Sequence, residues 1–196
     1  MSEEKKKLEI VTDEELLRFG SLDVEKKEMD WAKEQLKLYE EWLKPVMVHP
    51  KDETEREVMR IRALAVSSPQ FGVYKKITCI RIPKEVVKGA EEDMKYDFIN
   101  PVIADYDTAF IYQHEGCLSF PKVYFNTLRY RRVLVKDALR PSGIILMGLS
   151  SVVAQHEIDH LSGILYFDRK KQSIDRNELC PCGSKKKAKK CCLLRD

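Results

Sequence analysis

The segment His156-Glu157-Ile158-Asp159-His160 constrains the fold of this 196-residue chain more than any other part of its sequence. Two histidines four residues apart project from one face of an α-helix, one turn apart, so both can bind the same metal ion. Glu157 would then lie beside the open coordination position of that metal, where it can act as a general base. A surface helix that carries two histidines by chance is the alternative. The metal interpretation requires a third ligand from elsewhere in the chain.

Three places in the sequence are candidates for that third ligand. Metalloproteases of the long HExxHxxGxxH form use a third histidine, but this chain has Tyr166 at that position. Glu178 is a downstream carboxylate, but it lies within a cysteine-rich tail. Cys117 lies upstream, and a thiolate with two imidazoles suits Zn²⁺ or Fe²⁺ and leaves a fourth tetrahedral position for water. Cys117 is therefore the better candidate.

Composition indicates one soluble globular domain with a small appendage. Hydrophobic residues make up 43% of the chain and charged residues 34%, which is unlike a disordered protein. No apolar run approaches the roughly 20 residues that a membrane span needs, and five of the first seven residues are charged. We therefore expect a cytoplasmic protein whose six cysteines are reduced.

Periodicity predicts helices near the N-terminus, within residues 13–44. Thr12 and Glu15 form a capping box for a short helix that Gly20 should end. A longer helix should follow and end at Pro45, because apolar residues recur at spacings of three and four. These residues are Met29, Ala32, Leu36, Tyr39 and Leu43.

The rest of the chain predicts a loop, one further short helix, a set of strands and a long helix. Residues 45–56 are polar and predict the loop, and residues 58–64 predict one or two helical turns. Short runs rich in β-branched and aromatic residues then predict strands at 77–82, 98–103, 110–112 and 132–135. Helical periodicity returns after Gly143 and places Leu149, Val152, Val153, His156 and His160 on one face.

Two motifs together resemble a known family. Glu115-Gly116-Cys117-Leu118-Ser119, followed about forty residues later by QHEIDHLSGILYFDR, resembles the second and third motifs of peptide deformylases. The first motif, of the form GxGxAAxQ, would correspond to residues 63–70. Gln70 is retained there, but Ala63 and Ala65 replace the glycines, and Ser67 and Ser68 replace the alanine pair. The resemblance covers residues 8–172.

The resemblance implies an α+β fold in which antiparallel sheets surround a central metal-binding helix. It assigns the metal to Cys117, His156 and His160, and it makes Glu157 the group that takes a proton from water and returns it to the leaving amine. Gln70 and the backbone N–H of Leu118 would stabilise the oxyanion. Family members typically use Fe²⁺, with Zn²⁺ or Ni²⁺ as alternatives.

The resemblance also implies a substrate and its pocket. Glu115 would hold a metal-bound histidine or pair with Arg129, although both could be ordinary surface charges. The substrate would be the N-formylmethionyl end of a nascent polypeptide, bound in an extended conformation. Alanine in place of glycine removes backbone freedom and adds a Cβ to the groove, so another N-acyl substrate or a non-catalytic binding role is the alternative. The predicted pocket residues are Leu64, Ala65, Leu149, Val152 and Val153.

The last twenty residues form a separate unit. Cys180-Pro181-Cys182-Gly183-Ser184, then six residues and Cys191-Cys192, resembles the SEC-C zinc-binding motif. Four thiolates around a glycine turn suit one structural Zn²⁺ ion, without which so small a unit should not fold. The five lysines in this tail suit RNA phosphate or an acidic protein, or are simply a solvated charge run. We expect a catalytic domain at 1–176 and a zinc tail at 177–196, which could tether the protein to the ribosome.

Overall fold

The computed structural model describes residues 8–44, 46–48, 58–60 and 63–194. Within these ranges, no helix is both long and apolar enough to cross a bilayer. The described part of the chain forms three α-helices and eight β-strands: α1 (Glu14–Leu17), α2 (Met29–Leu43), α3 (Leu149–Leu161), β1 (Val46–Val48), β2 (Val58–Arg60), β3 (Ala65–Ser67), β4 (Ile77–Ile82), β5 (Met94–Ile99), β6 (Val102–Cys117), β7 (Phe120–Lys136) and β8 (Ile144–Met147).

The N-terminal helices follow the predicted pattern, with a different cap. Four of the five predicted apolar residues of α2 are buried, and this face packs on β3 and β4. The capping box at Thr12 is wrong, because the side chain of Asp13 accepts the N–H groups of Glu15 and Leu16. A carboxylate is the stronger acceptor at an exposed helix N-terminus. α1 ends at Leu17, before Gly20.

Three residues of the predicted loop form a strand, Val46–Val48, which pairs with Val58–Arg60 in a two-stranded antiparallel sheet, so the loop prediction is wrong there. Val46 pairs with Arg60 and Val48 with Val58. The prediction of helical turns is wrong at 58–60, because strand pairing overrides the weak local preference of that segment; residues 61 and 62 lie outside the described residues. Residue 45 and residues 49–56 of the predicted loop lie outside the described residues.

Two three-stranded antiparallel sheets make up most of the domain. The first has the order β3-β4-β5 and the second β6-β7-β8. The strand predicted at 98–103 is divided between them, because Asn100 has a φ of 54° and Pro101 lacks an N–H for ladder pairing. The strand predictions at 110–112 and 132–135 mark only parts of β6 and β7, which form one long hairpin.

Helix α3 lies between the two sheets. Ala154 packs with Ile80 and Phe98 of the first sheet and with Val133 of the second. Gln155 and Ser151 bond to the backbone of Tyr130 on β7. Of its thirteen residues ten are buried, so its polar side chains need partners inside the protein. The predicted α+β fold with a central helix is confirmed.

Candidate active site and cysteine-rich tail

Helix α3 and the end of strand β6 bring the three predicted metal ligands together. The ligand atoms of Cys117, His156 and His160 all lie within 4.8 Å of one another. Cys117 Sγ lies 3.3 Å from His160 Nε2. The helix spacing places both imidazoles on one side of α3. The end of strand β6 brings the Cys117 thiol next to them, although Cys117 lies about forty residues earlier in the sequence.

The hairpin geometry near Cys117 depends on Gly116. The β6-β7 register shifts between Gly116 and Cys117, so Gly116 faces Tyr124 and Cys117 faces Phe120. A Cβ on Gly116 would lie 2.8 Å from the ring of Tyr124. Because glycine has no Cβ, the ring of Tyr124 can pack directly on strand β6 next to Cys117.

A buried charge network holds His156. Glu115 Oε1 lies 2.6 Å from His156 Nδ1, and a carboxylate can only accept, so the N–H is on Nδ1 and Nε2 is free to bind a metal. Arg129 donates to both oxygens of Glu115, at 2.9 and 2.5 Å. Thr127 donates to the same carboxylate. The two roles proposed for Glu115, holding the histidine and pairing with Arg129, are thus compatible.

The network extends from Arg129 to the protein surface. Arg129 also donates to Asp159 at 2.6 Å, and Asp159 in turn accepts two bonds from Arg169. Only 2% of the Arg129 side chain is exposed, against 43% for Arg169. Sequence analysis missed Asp159, Arg169 and Thr127, although Asp159 lies inside the HExxH segment and a buried charge there implies a partner.

Burial and neighbouring charges shift the pKa values of three residues at the site. Burial opposes ionisation of Glu115, but its bonds with His156 and Arg129 outweigh this and lower its pKa to about 2. Burial also opposes the charged form of His156, but contacts with Cys117 and Glu115 raise its pKa to about 10, so a metal that binds Nε2 must displace a proton. Burial lowers the pKa of His160 well below its usual value, so it is a neutral imidazole, as a metal ligand must be.

The donor set fits a divalent transition metal. One sulfur and two imidazole nitrogens are the ligands that Zn²⁺ and Fe²⁺ accept, and three protein ligands leave a position open, as in catalytic sites. The carboxylate behind His156 is the usual outer partner of a metal-bound histidine. The residues present therefore fit the metal that the sequence predicts.

Glu157 lies in the interior, next to the ligand cluster. Burial raises the pKa of its carboxyl, partly offset by the nearby charge of His156 and a bond from Ser67. The Oγ of Ser67 lies 2.7 Å from Glu157 Oε2. Sequence analysis noted Ser67 only as a departure from the family motif and did not predict this contact. A raised pKa suits a group that accepts and returns a proton near neutral pH.

Gln70 directs its amide at the same site. Its Oε1 accepts the backbone N–H of Ser67 at 2.9 Å, which orients its NH₂ group. That NH₂ group lies 3.7 Å from Cys117 Sγ and 3.5 Å from Ser119 Oγ. Leu118 follows Cys117 and lines the adjoining cavity.

A cavity of about 560 Å³ opens beside the ligand cluster. Its walls include Cys117, His156, Glu157 and Gln70. All the residues predicted for the substrate pocket also line it, together with Ala63: Leu64, Ala65, Leu149, Val152 and Val153. Ala65 lies in strand β3, paired with Ile80, so the replacement of glycine there changes the cavity wall by a methyl group and leaves the backbone extended.

Neither rejected candidate belongs to the ligand cluster, although the ring of Tyr166 lies 5.9 Å from that of His156. The hydroxyl of Tyr166 donates to the carbonyl of Val123 at 3.0 Å, and Glu178 bonds to Lys171. His114, which the proposed metal site does not use, is exposed at the rim of the cavity.

The four tail cysteines form a second cluster, in which all ligand sulfurs lie within 4.8 Å. All six cysteines of the chain are free thiols, as predicted. The cluster packs on the long hairpin, where the N–H of Ala109 donates to Cys192 Sγ at 3.1 Å and the hydroxyl of Tyr130 donates to the carbonyl of Pro181 at 3.0 Å. Cys180 and Cys192 are buried there with Ala109.

The site combines two histidines on a buried helix, a cysteine from a neighbouring strand and a carboxylate beside them. This combination is typical of HExxH metalloproteins that bind their metal through both imidazole and thiolate ligands. Comparison with known proteins identifies the family. Residues 8–176 match the model of the polypeptide deformylase family, and residues 176–194 match the SEC-C motif. The chain belongs to the polypeptide deformylase family and carries a C-terminal SEC-C motif.

Individual relatives agree with this assignment. The chain is 37% identical over 122 residues to the chloroplastic peptide deformylase 1B of Oryza sativa subsp. japonica, covering 60% of this chain and 44% of that protein. It is 35% identical over 120 residues to the peptide deformylase of Prochlorococcus marinus strain AS9601, covering 60% and 58%. The chain thus spans about half the length of these relatives.

A solved structure shows the same fold. A crystal structure of a class I type b peptide deformylase from Acinetobacter baumannii superposes with a TM-score of 0.64 at 23% identity, covering 83% of this chain and 98% of that one.

Proposed function

We propose that this protein hydrolyses the formyl group from the N-formylmethionyl ends of nascent polypeptides. The observation that carries the proposal is the convergence of Cys117, His156 and His160 at one cavity with the buried carboxylate of Glu157. The family membership and the names of the relatives support the same reaction.

Each proposed catalytic group has a distinct role. Cys117, His156 and His160 would hold a divalent metal, which would supply a water of lowered pKa and Lewis-acid polarisation of the formyl carbonyl. Glu157 takes the proton of the attacking water and then gives it to the leaving amine. The NH₂ group of Gln70 and the N–H of Leu118 donate to the developing oxyanion. Glu115 and Arg129 keep His156 in its metal-binding orientation.

We infer Fe²⁺ as the metal of this site, with Zn²⁺ or Ni²⁺ as alternatives. The single thiolate and two imidazoles are compatible with all three ions. Metal analysis after purification without oxygen, with turnover measured for each reloaded ion, distinguishes them.

The methionine side chain of the substrate would occupy the apolar part of the cavity. Leu64, Leu149, Val152 and Val153 supply an apolar wall of the size that an unbranched side chain needs. The methyl groups of Ala63 and Ala65 narrow this cavity relative to the glycines of the family motif. They favour the second candidate function, hydrolysis or binding of another N-acyl peptide.

Formate release from a formyl-Met peptide by Fe²⁺-loaded protein tests the proposal. Wild type should turn over, and Glu157→Ala should lose activity by at least about a hundredfold while keeping its metal. An acetyl-Met peptide is the matched substrate control. If metal-loaded wild type releases no formate, or prefers the acetyl peptide, the second candidate replaces the first.

We further propose that residues 1–176 are the catalytic domain and that residues 177–196 bind one structural Zn²⁺ through Cys180, Cys182, Cys191 and Cys192. The exposed lysines of this tail would contact ribosomal RNA or an acidic protein, and the protein would act in the cytoplasm, where nascent chains emerge. Co-sedimentation with ribosomes should fall when residues 177–196 are deleted. It should also fall when Lys185, Lys186 and Lys187 become alanine, a change that leaves the cysteines in place. Unchanged co-sedimentation of both variants would contradict the tether.

A further inference from the structure

Ser67 contacts the carboxylate of Glu157 from the side of the first sheet. Its side chain is fully buried in strand β3. Its Oγ lies 2.7 Å from Glu157 Oε2, 2.8 Å from the backbone carbonyl of Glu157 and 2.5 Å from Thr78 Oγ1 on strand β4. These contacts join residues 11 and 90 positions apart in the sequence.

The Ser67 hydroxyl has one proton, and both Glu157 Oε2 and the backbone carbonyl of Glu157 are acceptors within its reach. The hydroxyl of Thr78 can donate to the same Oγ. Ser67 therefore connects the Glu157 carboxylate to the first sheet, and this contact fixes the direction in which the carboxylate points.

Alanine at this position would remove that partner. Oε2 of Glu157 would then lack the bond that fixes it inside the protein, because a methyl group neither donates nor accepts. The backbone N–H of Ser67 also holds the amide of Gln70, at 2.9 Å. One residue therefore contacts both side chains to which we assign proton transfer and oxyanion stabilisation.

We propose that Ser67 is a positioning residue, whose hydroxyl holds the Glu157 carboxylate in its orientation at the cavity beside the three candidate ligands. This inference rests on the proposed function, since it gives Glu157 the role of proton carrier. The first motif of the family has alanine at this position. The serine of this chain adds a hydrogen bond to Glu157, so the substitution does not indicate a loss of function.

Ser68 provides a matched control. It is also fully buried, and its hydroxyl donates to the backbone carbonyls of Lys75 and Ile77. Ser67→Ala and Ser68→Ala therefore remove the same atom from adjacent buried positions, and only the first change removes a contact with Glu157.

The experiment measures kcat and KM for a formyl-Met peptide, metal content and unfolding temperature for wild type and both variants. We expect Ser67→Ala to lower kcat by about tenfold, because a misplaced Glu157 carboxylate transfers the proton more slowly. KM and metal content should stay within twofold of wild type, because the variant keeps its contacts with the peptide and the metal. Ser68→Ala should keep the kcat of wild type. Infrared difference spectra against Glu157→Gln should show a shifted carboxylate band in Ser67→Ala and an unshifted one in Ser68→Ala.

Three results would overturn the inference. Ser67→Ala could have wild-type kcat, the two variants could lose kcat equally, or the Glu157 band could stay unshifted in Ser67→Ala. In each of these cases wild type still releases formate, and the proposed function stands. Wild type that releases no formate overturns the proposed function and, with it, the role given to Ser67.

Discussion

Replacing Arg129 by methionine should destabilise the protein strongly, because it leaves two buried carboxylates short of a partner. Arg129 makes three bonds, two to Glu115 and one to Asp159, and its side chain is 2% exposed. Removing one partner of a buried ion pair costs about 3–5 kcal/mol. Glu115 keeps Thr127, and Asp159 keeps Arg169, so we expect the lower end, about 3 kcal/mol. For a chain of this size this corresponds to a fall of about 6–12 °C in unfolding temperature.

Arg132→Met is the control for this change. Arg132 lies on the same strand, but it contacts Asp105 in a partly exposed pair at 3.2 Å, and such pairs contribute about 0–1 kcal/mol. Denaturant unfolding at a fixed excess of metal gives both losses on one scale. Arg129→Met should also weaken metal binding by about 10–100-fold, because Glu115 orients His156. If the two variants differ by less than 1 kcal/mol, the network does not contribute as described.

Three further perturbations follow from particular contacts. Deleting residues 177–196 should leave kcat on a short formyl peptide within about twofold, because the tail meets the hairpin at Ala109, eight residues or roughly 25 Å along the strand from Cys117. The deletion should also lower the unfolding temperature by about 2–8 °C, since it exposes the covered face of the hairpin; a collapse of turnover would contradict this. Gly163→Ala should cost at least about 2 kcal/mol in denaturant unfolding, because the residue has a φ of +69° and its Cβ would lie 2.2 Å from the carbonyl oxygen of Arg18. Gly20→Ala meets open space and should change stability by less than about 0.5 kcal/mol. Cys191→Ser, which removes one tail ligand and leaves the ligands on α3 in place, should speed amide exchange across 177–194 and leave exchange in α3 unchanged; equal acceleration in both would contradict a separate unit.

Local pattern was sufficient for the helix that carries two of the three proposed metal ligands. Helix α3 repeats at helical spacing, so His156 and His160 could be placed on one face before any tertiary contact was known. The buried stripe of α2 was predictable for the same reason. Both predictions depend on side chains three or four residues apart, and that distance is fixed by the helix itself.

Local pattern failed where pairing between distant segments decides the structure. The strand at 58–60 has a weak preference of its own and forms against 46–48. The long hairpin was predicted only in fragments, because its bulges interrupt the alternation of side chains. The N-terminal cap moved by one residue, since two neighbouring side chains could both accept and only one geometry is used.

The sequence by itself was enough to propose the three ligands and Glu157, since motif spacing and ligand chemistry restrict the choice of both. Only the tertiary structure decided what surrounds them. It placed Ser67 against Glu157 and connected Glu115 through Arg129 and Asp159 to the surface. Those contacts join residues 14 to 90 positions apart, and they exist because burial requires every charged group to find a partner wherever the fold brings one within reach.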